Sequence, residues 1–324
     1  MTWPPVAAAT ELAVREGPQC SLVRMPVEAG FAEAVAEGLV RRPRALPPRY
    51  FYDAEGSALF ERITGLREYY LTRTEAAILE RCAAECPPAD TLVELGCGAA
   101  TKTRLLLDRL FRDHPSVAYM PVDISQSALL GALPPLLARY PGLTVSAICG
   151  EYAQALGRLP RRGALVLFLG SSIGNLEPPA ARALLASLRG HRVLVGFDMQ
   201  KPVEPLLAAY DDAEGVTARF NRNLLARVNR ELGGDFDLEA FAHRAVYNAA
   251  AARIEMHLVS RRQQEVRVEA LRRSFRFAAG EAIHTENAYK YTSAQIRTLA
   301  AAAGFRLERA WTDERGWFTV ALLG

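Results

Sequence analysis

Between residues 71 and 197 the sequence alternates segments of helical and strand-like periodicity. Helical stretches at 74–85, 102–112, 126–139, 152–158 and 178–189 are interleaved with apolar runs at 91–96, 117–123, 143–149, 164–170 and 192–197. Parallel strands joined by helical crossovers form one sheet that is covered on both faces. The sequence therefore predicts an α/β domain with a Rossmann-like parallel sheet, whose ligands bind at the carboxyl ends of the strands.

A glycine-containing turn follows the first of these strands. The strand ends near Glu94, and Gly96 and Gly98 after it allow a sharp turn and the close approach of a ligand. A dinucleotide site usually has a third glycine three residues later, where this chain has Thr101. S-adenosylmethionine lacks a pyrophosphate, and Glu94 could attract its ammonium while Asp123, at the end of the next strand, binds its ribose diol. We interpret the turn as an S-adenosylmethionine site, with NAD as the alternative.

Beyond residue 198 the alternation stops. A helical stretch at 204–230 is followed by candidate strands at 253–259, 265–269 and 274–277, then by a helix at 294–303 and strands at 306–312 and 317–323. In the first of these strands Ile254, Met256 and Leu258 alternate with polar residues, which is typical of a half-buried strand. The last two strands predict an antiparallel hairpin, which S-adenosylmethionine-dependent methyltransferase domains typically add to the edge of a parallel sheet.

We therefore divide the chain into two discontinuous domains. Residues 65–198 and 286–324 are predicted to form the methyltransferase domain that binds S-adenosylmethionine. Residues 1–64 and 199–285 are predicted to form an inserted α+β domain that binds the substrate. With 324 residues, half of them hydrophobic, the chain can bury the cores of both domains.

Composition and charge limit the possible partners. The formal charge of +3 comes from an even spread of both signs, and the basic cluster at 41–44 lacks interleaved aromatic residues, so nucleic acid is not an expected partner. No apolar run approaches the ~20 residues of a membrane helix. The five cysteines have no paired metal-ligand spacing, which predicts no metal site and a reducing compartment. We expect a cytoplasmic monomer that acts on a small molecule.

Seven segments between about residue 45 and the C-terminus resemble one enzyme family. They are FYDAEGSALFE at 51–61, EYYLTRTE at 68–75, GSSIGNLEP at 170–178, AYDD at 209–212, FNRN at 220–223, RIEMHL at 253–258 and TENAYK at 285–290. Together they resemble the L-histidine Nα-methyltransferases of ergothioneine biosynthesis. The resemblance implies three successive methyl transfers from S-adenosylmethionine to the α-amine of histidine, which give the betaine hercynine.

The resemblance also implies which residues bind the substrate carboxylate. Asn175 and Tyr210 would hold it, and Tyr69 and Gly170 would line the same pocket. An amide NH2 and a phenol OH can satisfy a buried carboxylate without adding charge. On spacing alone, Asn175 could equally be a turn residue and Tyr210 an aromatic residue at a helix end.

Tyr52 and Phe60 are implied to lie near the substrate amine. Tyr52 is the catalytic candidate, because its hydroxyl, through a water, could relay the proton that the amine must lose. The ring of Phe60 would favour the cationic methylammonium product. The alternative for Phe60 is a core position on an amphipathic helix, beside Leu59 and Ile63.

The specificity pocket contains one departure from the family pattern. Glu286 would accept an imidazole N–H, and Met256 would contact the ring; the alternative for Glu286 is a salt bridge to an arginine. Where the family has a serine that binds the other imidazole nitrogen, this chain has Ala288. If 285–290 is a strand, Asn287 points to the opposite face and cannot replace that serine. Tryptophan, tyrosine or a modified amino acid therefore remain alternative substrates.

The predicted cofactor site is completed by three further residues, Lys102, Glu151 and Tyr152.

Other functional classes are disfavoured but remain alternatives. A non-catalytic S-adenosylmethionine-binding regulator would need a disabled substrate pocket, an NAD-linked oxidoreductase conflicts with Thr101, and an RNA or protein methyltransferase would need a basic groove.

Overall fold

The computed structural model describes residues 12–17, 19–25 and 30–324. The strands are β1 (Leu12–Gly17), β2 (Cys20–Arg24), β3 (Arg44–Ala45), β4 (Thr91–Leu95), β5 (Val117–Asp123), β6 (Leu143–Cys149), β7 (Leu165–Phe168), β8 (Arg192–Asp198), β9 (Phe241–Asn248), β10 (Arg253–Ser260), β11 (Gln264–Val268), β12 (Arg273–Phe277), β13 (Ala282–Tyr289), β14 (Leu307–Thr312) and β15 (Phe318–Leu323). The helices are α1 (Phe31–Val40), α2 (Ala54–Thr64), α3 (Tyr70–Cys82), α4 (Thr103–Asp113), α5 (Gln126–Arg139), α6 (Tyr152–Ala155), α7 (Pro178–Ser187), α8 (Val203–Tyr210), α9 (Val216–Leu232) and α10 (Ser293–Ala302).

The chain forms two compact units. The first, here called the sheet unit, comprises the described part of residues 1–27 with Arg73–Met199 and Tyr291–Gly324. The second, here called the inserted unit, comprises the described part of residues 28–72 with Gln200–Lys290. Both units are discontinuous, and their limits differ from the predicted ones: residues 65–72 and 286–290, which the sequence analysis assigned to the methyltransferase domain, lie in the inserted unit.

The sheet unit contains, within the described residues, a nine-stranded sheet in the order β1-β2-β6-β5-β4-β7-β8-β15-β14. The strands from β2 to β8 in this order are parallel, and β14 and β15 form the antiparallel hairpin that the sequence predicts. Successive strands run outward from β4 in one direction and from β7 in the other. The strand order thus reverses between β4 and β7, and ligands of open α/β sheets bind outside such a point.

The central strands of this sheet are buried on both faces. All four residues of β7 and all six of β15 are buried, and β4 is buried from its second residue onward. Strands covered by helices on both sides favour apolar residues on both faces, which explains why these strands are mostly apolar. This core holds the carboxyl ends of β4, β5, β6 and β7 at one edge.

The inserted unit contains a second sheet, in the order β3-β13-β10-β9, together with helices α2 and α9. Residues of β10 alternate between half-buried and buried positions. The buried ones are Ile254, Met256 and Leu258, as predicted, and Ser260. The predicted strands at 265–269 and 274–277 do not extend this sheet. They form a separate two-stranded ribbon, β11–β12.

Other parts of the structure also differ from the sequence-based prediction. The predicted helix at 204–230 is two helices, because Asp212 accepts hydrogen bonds from the amides of Val216 and Thr217 and so begins α9 anew. Strand β9 was not predicted. Residues 1–64 were assigned to the substrate domain, yet β2 pairs in parallel with β6 and β1 pairs with β2, so both strands belong to the sheet unit.

Among the helices of the described ranges, none has the length and apolarity that crossing a membrane requires.

Candidate active site

The predicted cofactor residues follow the carboxyl ends of adjacent parallel strands. Gly96 and Gly98 follow β4, Asp123 ends β5, and Glu151 and Tyr152 follow β6. These strands are neighbours in the order β6-β5-β4. The fold thus brings residues that are far apart in the sequence to one edge of the sheet unit, at the reversal of strand order.

The two glycines of the β4–α4 turn have backbone conformations that other residues rarely adopt. The φ angles of Gly96 and Gly98 are 77° and 50°. A Cβ atom at Gly96 would lie 2.8 Å from Tyr152 Oη, so glycine there admits the tyrosine. A Cβ atom at Gly98 would have no heavy atom within 4 Å. The backbone at Gly98 therefore borders open space into which a ligand can fit.

Asp123 fixes this turn. Its Oδ2 accepts a hydrogen bond from Gly98 N at 2.9 Å, and its Oδ1 accepts one from Ser125 N at 2.8 Å. Burial raises the pKa of the Asp123 carboxyl above its usual value. A carboxylate oxygen can accept more than one hydrogen bond, so Asp123 can hold the turn and still accept from a hydroxyl of a ligand.

Glu94 is buried beneath the turn rather than open to it. Its Oε2 accepts hydrogen bonds from Thr103 Oγ1 at 2.6 Å and Tyr119 Oη at 2.5 Å. These bonds connect the end of β4 to the first residue of α4. Burial raises the pKa of Glu94 to about 7. The predicted attraction of Glu94 for a ligand ammonium stays a prediction, and its role in holding the turn is a structural finding.

Lys102 interacts with a residue that the sequence analysis did not select. The Nζ atom of Lys102 contacts Glu75 Oε2, and Glu75, on α3, is fully buried. The Glu75 carboxylate also accepts from the amide of Gly170, which follows β7. Glu75 thus links a predicted cofactor residue to a predicted substrate residue within the sheet unit.

The loop after β7 carries the predicted residues Gly170 and Asn175. Gly170 and Ser171 have φ angles of 73° and 57°, and such a conformation is unusual for serine. The following turn of 3₁₀-helix, Ser172–Asn175, ends in Asn175. The Asn175 side chain is half-buried and forms no hydrogen bond with the part of the chain that the structure describes. Its amide is therefore available to a ligand.

In the inserted unit the predicted aromatic residues form a continuous series. Ring centroids are 5.7 Å apart for Tyr52 and Phe60, 6.3 Å for Phe60 and Tyr69, and 6.4 Å for Tyr69 and Tyr210. Phe220, which was not predicted, lies 5.8 Å from Tyr52 and 5.9 Å from Phe60. Phe60 is half-buried, whereas its neighbour Leu59 is buried, and the placement of Phe60 near the substrate amine stays a prediction.

Local contacts explain why Tyr52, which follows Phe51, takes its place in this series of rings. Asp53 begins α2, because its Oδ1 accepts a hydrogen bond from Gly56 N at 2.7 Å. The same oxygen accepts from Asn223 Nδ2 of α9 at 2.8 Å. A Cβ atom at Gly56 would lie 1.7 Å from the carbonyl oxygen of Phe51, so only glycine permits this close approach. The FYDAEG segment thus fixes Tyr52 next to α9.

Strand β13 holds the predicted specificity residues. Met256 pairs with Glu286 across the β10–β13 ladder, and the register shifts at the next pair, His257 and His284. The extra residue is Thr285, whose Oγ1 donates to the carbonyl of Met256 at 3.0 Å. This β-bulge places both Thr285 and Glu286 on the buried side, and bulges are common where a side chain must be redirected near a site.

Ala288 is buried and pairs with Ile254, two residues after Glu286 on the same face. Asn287 lies on the other face, where its Oδ1 is 2.8 Å from His284 Nε2. As predicted, Asn287 does not occupy the place of the family serine.

Lys290 and His243, both of the inserted unit, contact Tyr210. Lys290 Nζ donates to the Tyr210 hydroxyl at 3.0 Å and lies 4.6 Å from its ring centroid. The carbonyl oxygen of Tyr210 is 2.8 Å from His243 Nε2. Lys290 is buried and follows Glu286 and Ala288 at the alternate position. It therefore connects the face of β13 that carries Glu286 to the aromatic series.

The donor set fits S-adenosylmethionine. An acidic residue ends β5 beside an open glycine turn, Tyr152 supplies an aromatic ring, and Lys102 supplies a cation that suits a carboxylate of the ligand. No cluster of metal-binding side chains occurs within the described ranges.

Comparison with known proteins shows the family of this chain. Residues 31–324 match the family described as histidine-specific, S-adenosylmethionine-dependent methyltransferases. The chain belongs to this family. The histidine N-alpha-methyltransferase of Mycolicibacterium smegmatis is 46% identical over 297 residues, which cover 89% of this chain and 92% of that protein. The protein of the same name from Mycobacterium tuberculosis is 44% identical with the same coverage. Ergothioneine biosynthesis protein 1 of Schizosaccharomyces pombe is 30% identical over 285 residues, which cover 81% of this chain and 36% of that protein.

This histidine-specific methyltransferase contains site residues that the sequence analysis missed. They are Glu75, Ser171, Phe220 and Lys290. Each lies inside a segment that carries the family resemblance, at 68–75, 170–178, 220–223 and 285–290. Their location in these segments was the only sequence signal that could have identified the four residues, because periodicity does not distinguish them from their neighbours.

The raised pKa of Glu94 gives the methyltransferase a testable pH dependence. Folding raises the pKa of Glu94 from 4.5 to about 7, so the folded protein holds the Glu94 proton more tightly than the unfolded chain does. The stability that this proton contributes is fully present below pH 4.5 and is lost as the pH rises through 7. As the pH is raised from 5 to 8, the unfolding free energy of Glu94→Gln should therefore increase by about 2 kcal/mol relative to that of the unmodified protein. Urea titrations of both proteins measure this, and a difference that does not change with pH would contradict the assignment.

Proposed function

We propose that this protein transfers methyl groups from S-adenosylmethionine to the α-amine of free L-histidine, three times in succession, to give hercynine. The observation that carries the proposal is the match of residues 31–324 to the histidine-specific family. It is supported by relatives 44–46% identical whose printed name is histidine N-alpha-methyltransferase. The expectations of a monomer and of a cytoplasmic location stay predictions.

In the proposed reaction the protein mainly aligns its ligands. S-adenosylmethionine, when bound, supplies an electrophilic methyl group, and Gly96, Gly98 and Asp123 would hold its nucleoside. Lys102, Glu151 and Tyr152 would complete that site. In-line transfer to an amine needs no covalent intermediate, so alignment is the main contribution expected from these residues.

Asn175 and Tyr210 would bind the substrate carboxylate. The Asn175 amide is available, as its side chain bonds to none of the described residues. The hydroxyl oxygen of Tyr210 accepts from the Lys290 ammonium. An ammonium can only donate, so the bond with Lys290 uses the oxygen of the Tyr210 hydroxyl and not its hydrogen. The family resemblance implies that Tyr69 and Gly170 also take part in binding the substrate.

Tyr52 and Phe60 would contact the amine. The α-amino group of a free amino acid titrates above neutral pH, so only a small part of the substrate is deprotonated at neutral pH, and the amine must lose a proton before it can attack. The Tyr52 hydroxyl, with a water, would relay the remaining proton outward. The rings of Tyr52 and Phe60, which are 5.7 Å apart, would stabilise the methylammonium products through cation–π contacts.

Glu286 and Met256 would select the imidazole. They are opposite each other across two strands, so one side of the ring can meet a thioether while an N–H meets a carboxylate. A carboxylate would be poorly matched to a wholly apolar ring, which disfavours phenylalanine-like substrates. Tryptophan, whose indole also has an N–H, is the second candidate, because Ala288 leaves the other imidazole nitrogen without the family serine.

Restoring the family serine should improve the binding of histidine. We expect Ala288→Ser to lower KM for histidine by about 2- to 10-fold with little change in kcat, because it adds one hydrogen bond. Steady-state kinetics measure this. Ala282→Ser, at the other end of β13, is the control and should leave KM unchanged. An unchanged KM in Ala288→Ser would show that the imidazole does not reach this position.

Competition between amino acids tests the proposed substrate. The protein would be supplied with S-adenosylmethionine and equal concentrations of histidine, tryptophan and tyrosine, and the products separated by mass spectrometry. Histidine should be methylated in preference to both. Preferential methylation of tryptophan or tyrosine would overturn the choice of histidine and leave the methyltransferase chemistry in place.

A further inference from the structure

Glu75 is a buried carboxylate to which the proposed reaction assigns no role. It lies on α3, and its side chain is fully buried. Its Oε2 contacts Lys102 Nζ, and both of its oxygens accept from Gly170 N, at 3.0 and 2.8 Å. Burial of a charge is costly unless the charge is paired and hydrogen-bonded, and these contacts satisfy both conditions.

The neighbouring strand is shaped to admit this carboxylate. A Cβ atom at Gly196, on β8, would lie 1.9 Å from Glu75 Oε1, so any other residue there would displace the side chain. A Cβ atom at Gly170 would lie 3.4 Å from Lys102 Nζ. Two glycines thus allow the carboxylate, the ammonium and the amide to come together. An incidental ion pair would not require such an arrangement.

We propose that Glu75 is a positioning residue that aligns the cofactor-binding Lys102 and the substrate-binding loop after β7 at the same time. It acts through these neighbours and does not touch the reacting atoms. The substrate half of this inference rests on the proposed function, and the cofactor half does not.

The loop after β7 needs an external hold. Gly170 and Ser171 are consecutive residues with positive φ, and a serine in this region is strained. The Gly170 amide, bonded to both oxygens of a carboxylate, is fixed by charge-assisted hydrogen bonds, which are stronger than neutral ones. The turn that begins there ends in Asn175, so a shift at Gly170 displaces the amide that would bind the substrate.

The Lys102 ammonium needs a counter-charge. It lies at the start of α4, directly after the glycine turn of the cofactor site. The contact with Glu75 fixes its direction and lowers the net positive charge beside a site whose ligand carries a sulfonium. Loss of the carboxylate would leave the lysine cationic and free to turn away.

The test compares Glu75→Gln with the unmodified protein. Glutamine keeps the size and one acceptor oxygen but removes the charge. By calorimetry we expect the Kd of S-adenosylhomocysteine to rise about 10-fold, since a hydrogen bond to a charged group is worth at least that factor. KM for histidine should also rise about 10-fold, with kcat at saturation within about 3-fold, because the reacting groups themselves are intact.

Further variants separate positioning from simple stabilisation. In a double-mutant cycle for S-adenosylhomocysteine affinity, Glu75→Gln should have almost no added effect in a Lys102→Met background. Glu75→Asp keeps the charge and should recover part of both affinities. Glu80→Gln, an exposed position on the same helix, should change neither.

The outcomes are distinct. A lowered melting temperature in Glu75→Gln, with Kd and KM within twofold of the unmodified protein, would overturn the proposal, as would additive effects in the cycle. If Glu75→Gln does not fold, the Kd of S-adenosylhomocysteine is measured for Glu75→Asp and Lys102→Met instead. A Kd within twofold of that of the unmodified protein in both variants would then overturn the proposal. If the unmodified protein does not methylate histidine, the proposed function fails, and the S-adenosylhomocysteine titrations still judge the role of Glu75.

Discussion

Replacement of Asn175 by alanine is expected to raise KM for histidine by about 10- to 100-fold. The expected loss is one hydrogen bond from an amide to a charged carboxylate, worth about 1.5–3 kcal/mol. Tyr210→Phe removes the second donor and should have an effect of the same size. Steady-state kinetics with saturating S-adenosylmethionine measure both. Because the carboxylate is bound in the ground state as well as in the transition state, kcat should fall much less than kcat/KM.

Two control measurements accompany these variants. Affinity for S-adenosylhomocysteine should stay within about twofold in Tyr210→Phe, because Tyr210 belongs to the inserted unit and not to the sheet unit. Glu177→Gln, two residues after Asn175, should leave KM near its original value. An ordinary KM for histidine in both Asn175→Ala and Tyr210→Phe would refute the carboxylate assignment.

Replacement of Asp123 by asparagine is expected to weaken S-adenosylhomocysteine binding by about 100-fold. The two oxygens of Asp123 accept from the amides of Gly98 and Ser125. In asparagine one oxygen becomes an NH2 group, which faces an N–H donor and cannot accept. The variant should therefore lose the shape of the glycine turn as well as a bond to the ribose, about 3 kcal/mol together. Calorimetric titration measures the change in Kd.

Asp113→Asn is the matched control for this prediction. Asp113 is an exposed aspartate at the end of α4, and the same substitution there should leave Kd within about twofold. Circular dichroism should confirm that Asp123→Asn is folded. A Kd for S-adenosylhomocysteine close to that of the unmodified protein would show that Asp123 does not contribute to the cofactor site.

Much of the sheet unit could be predicted because its signals are local and periodic. Strands buried on both faces form apolar runs in the sequence, and each predicted run from 91–96 to 192–197 matches an observed strand to within two residues at either end. The glycine turn and Asp123 could be recognised for the same reason, since each lies at the end of such a run. The antiparallel hairpin of β14 and β15 was also predicted, because its two strands are adjacent in the sequence.

Other features depend on contacts between distant residues. The sequence does not reveal that β2 pairs with β6, because β2 has a mixed burial pattern and its partner lies about 125 residues away. The break between α8 and α9 depends on a capping aspartate inside an otherwise helical pattern. The role of Glu75 depends on Gly196 and Gly170, which are distant along the chain.

The substrate residues were found through family resemblance and not through periodicity. No spacing rule brings Tyr52, Phe60, Tyr69 and Tyr210 together, yet the structure makes them a continuous series of rings. The β-bulge at Thr285 shifts the alternation of β13, so a period-two pattern read from one end of the strand would place Glu286 on the wrong face.

The product formed from histidine tests the central claim most directly. The protein would be incubated with L-histidine and S-adenosylmethionine, and the product examined by mass spectrometry for the number of added methyl groups and by NMR for their position. The account predicts histidine that carries three methyl groups on the α-nitrogen and an unmodified imidazole. Methyl groups on an imidazole nitrogen, or no methylated histidine at all, would contradict it.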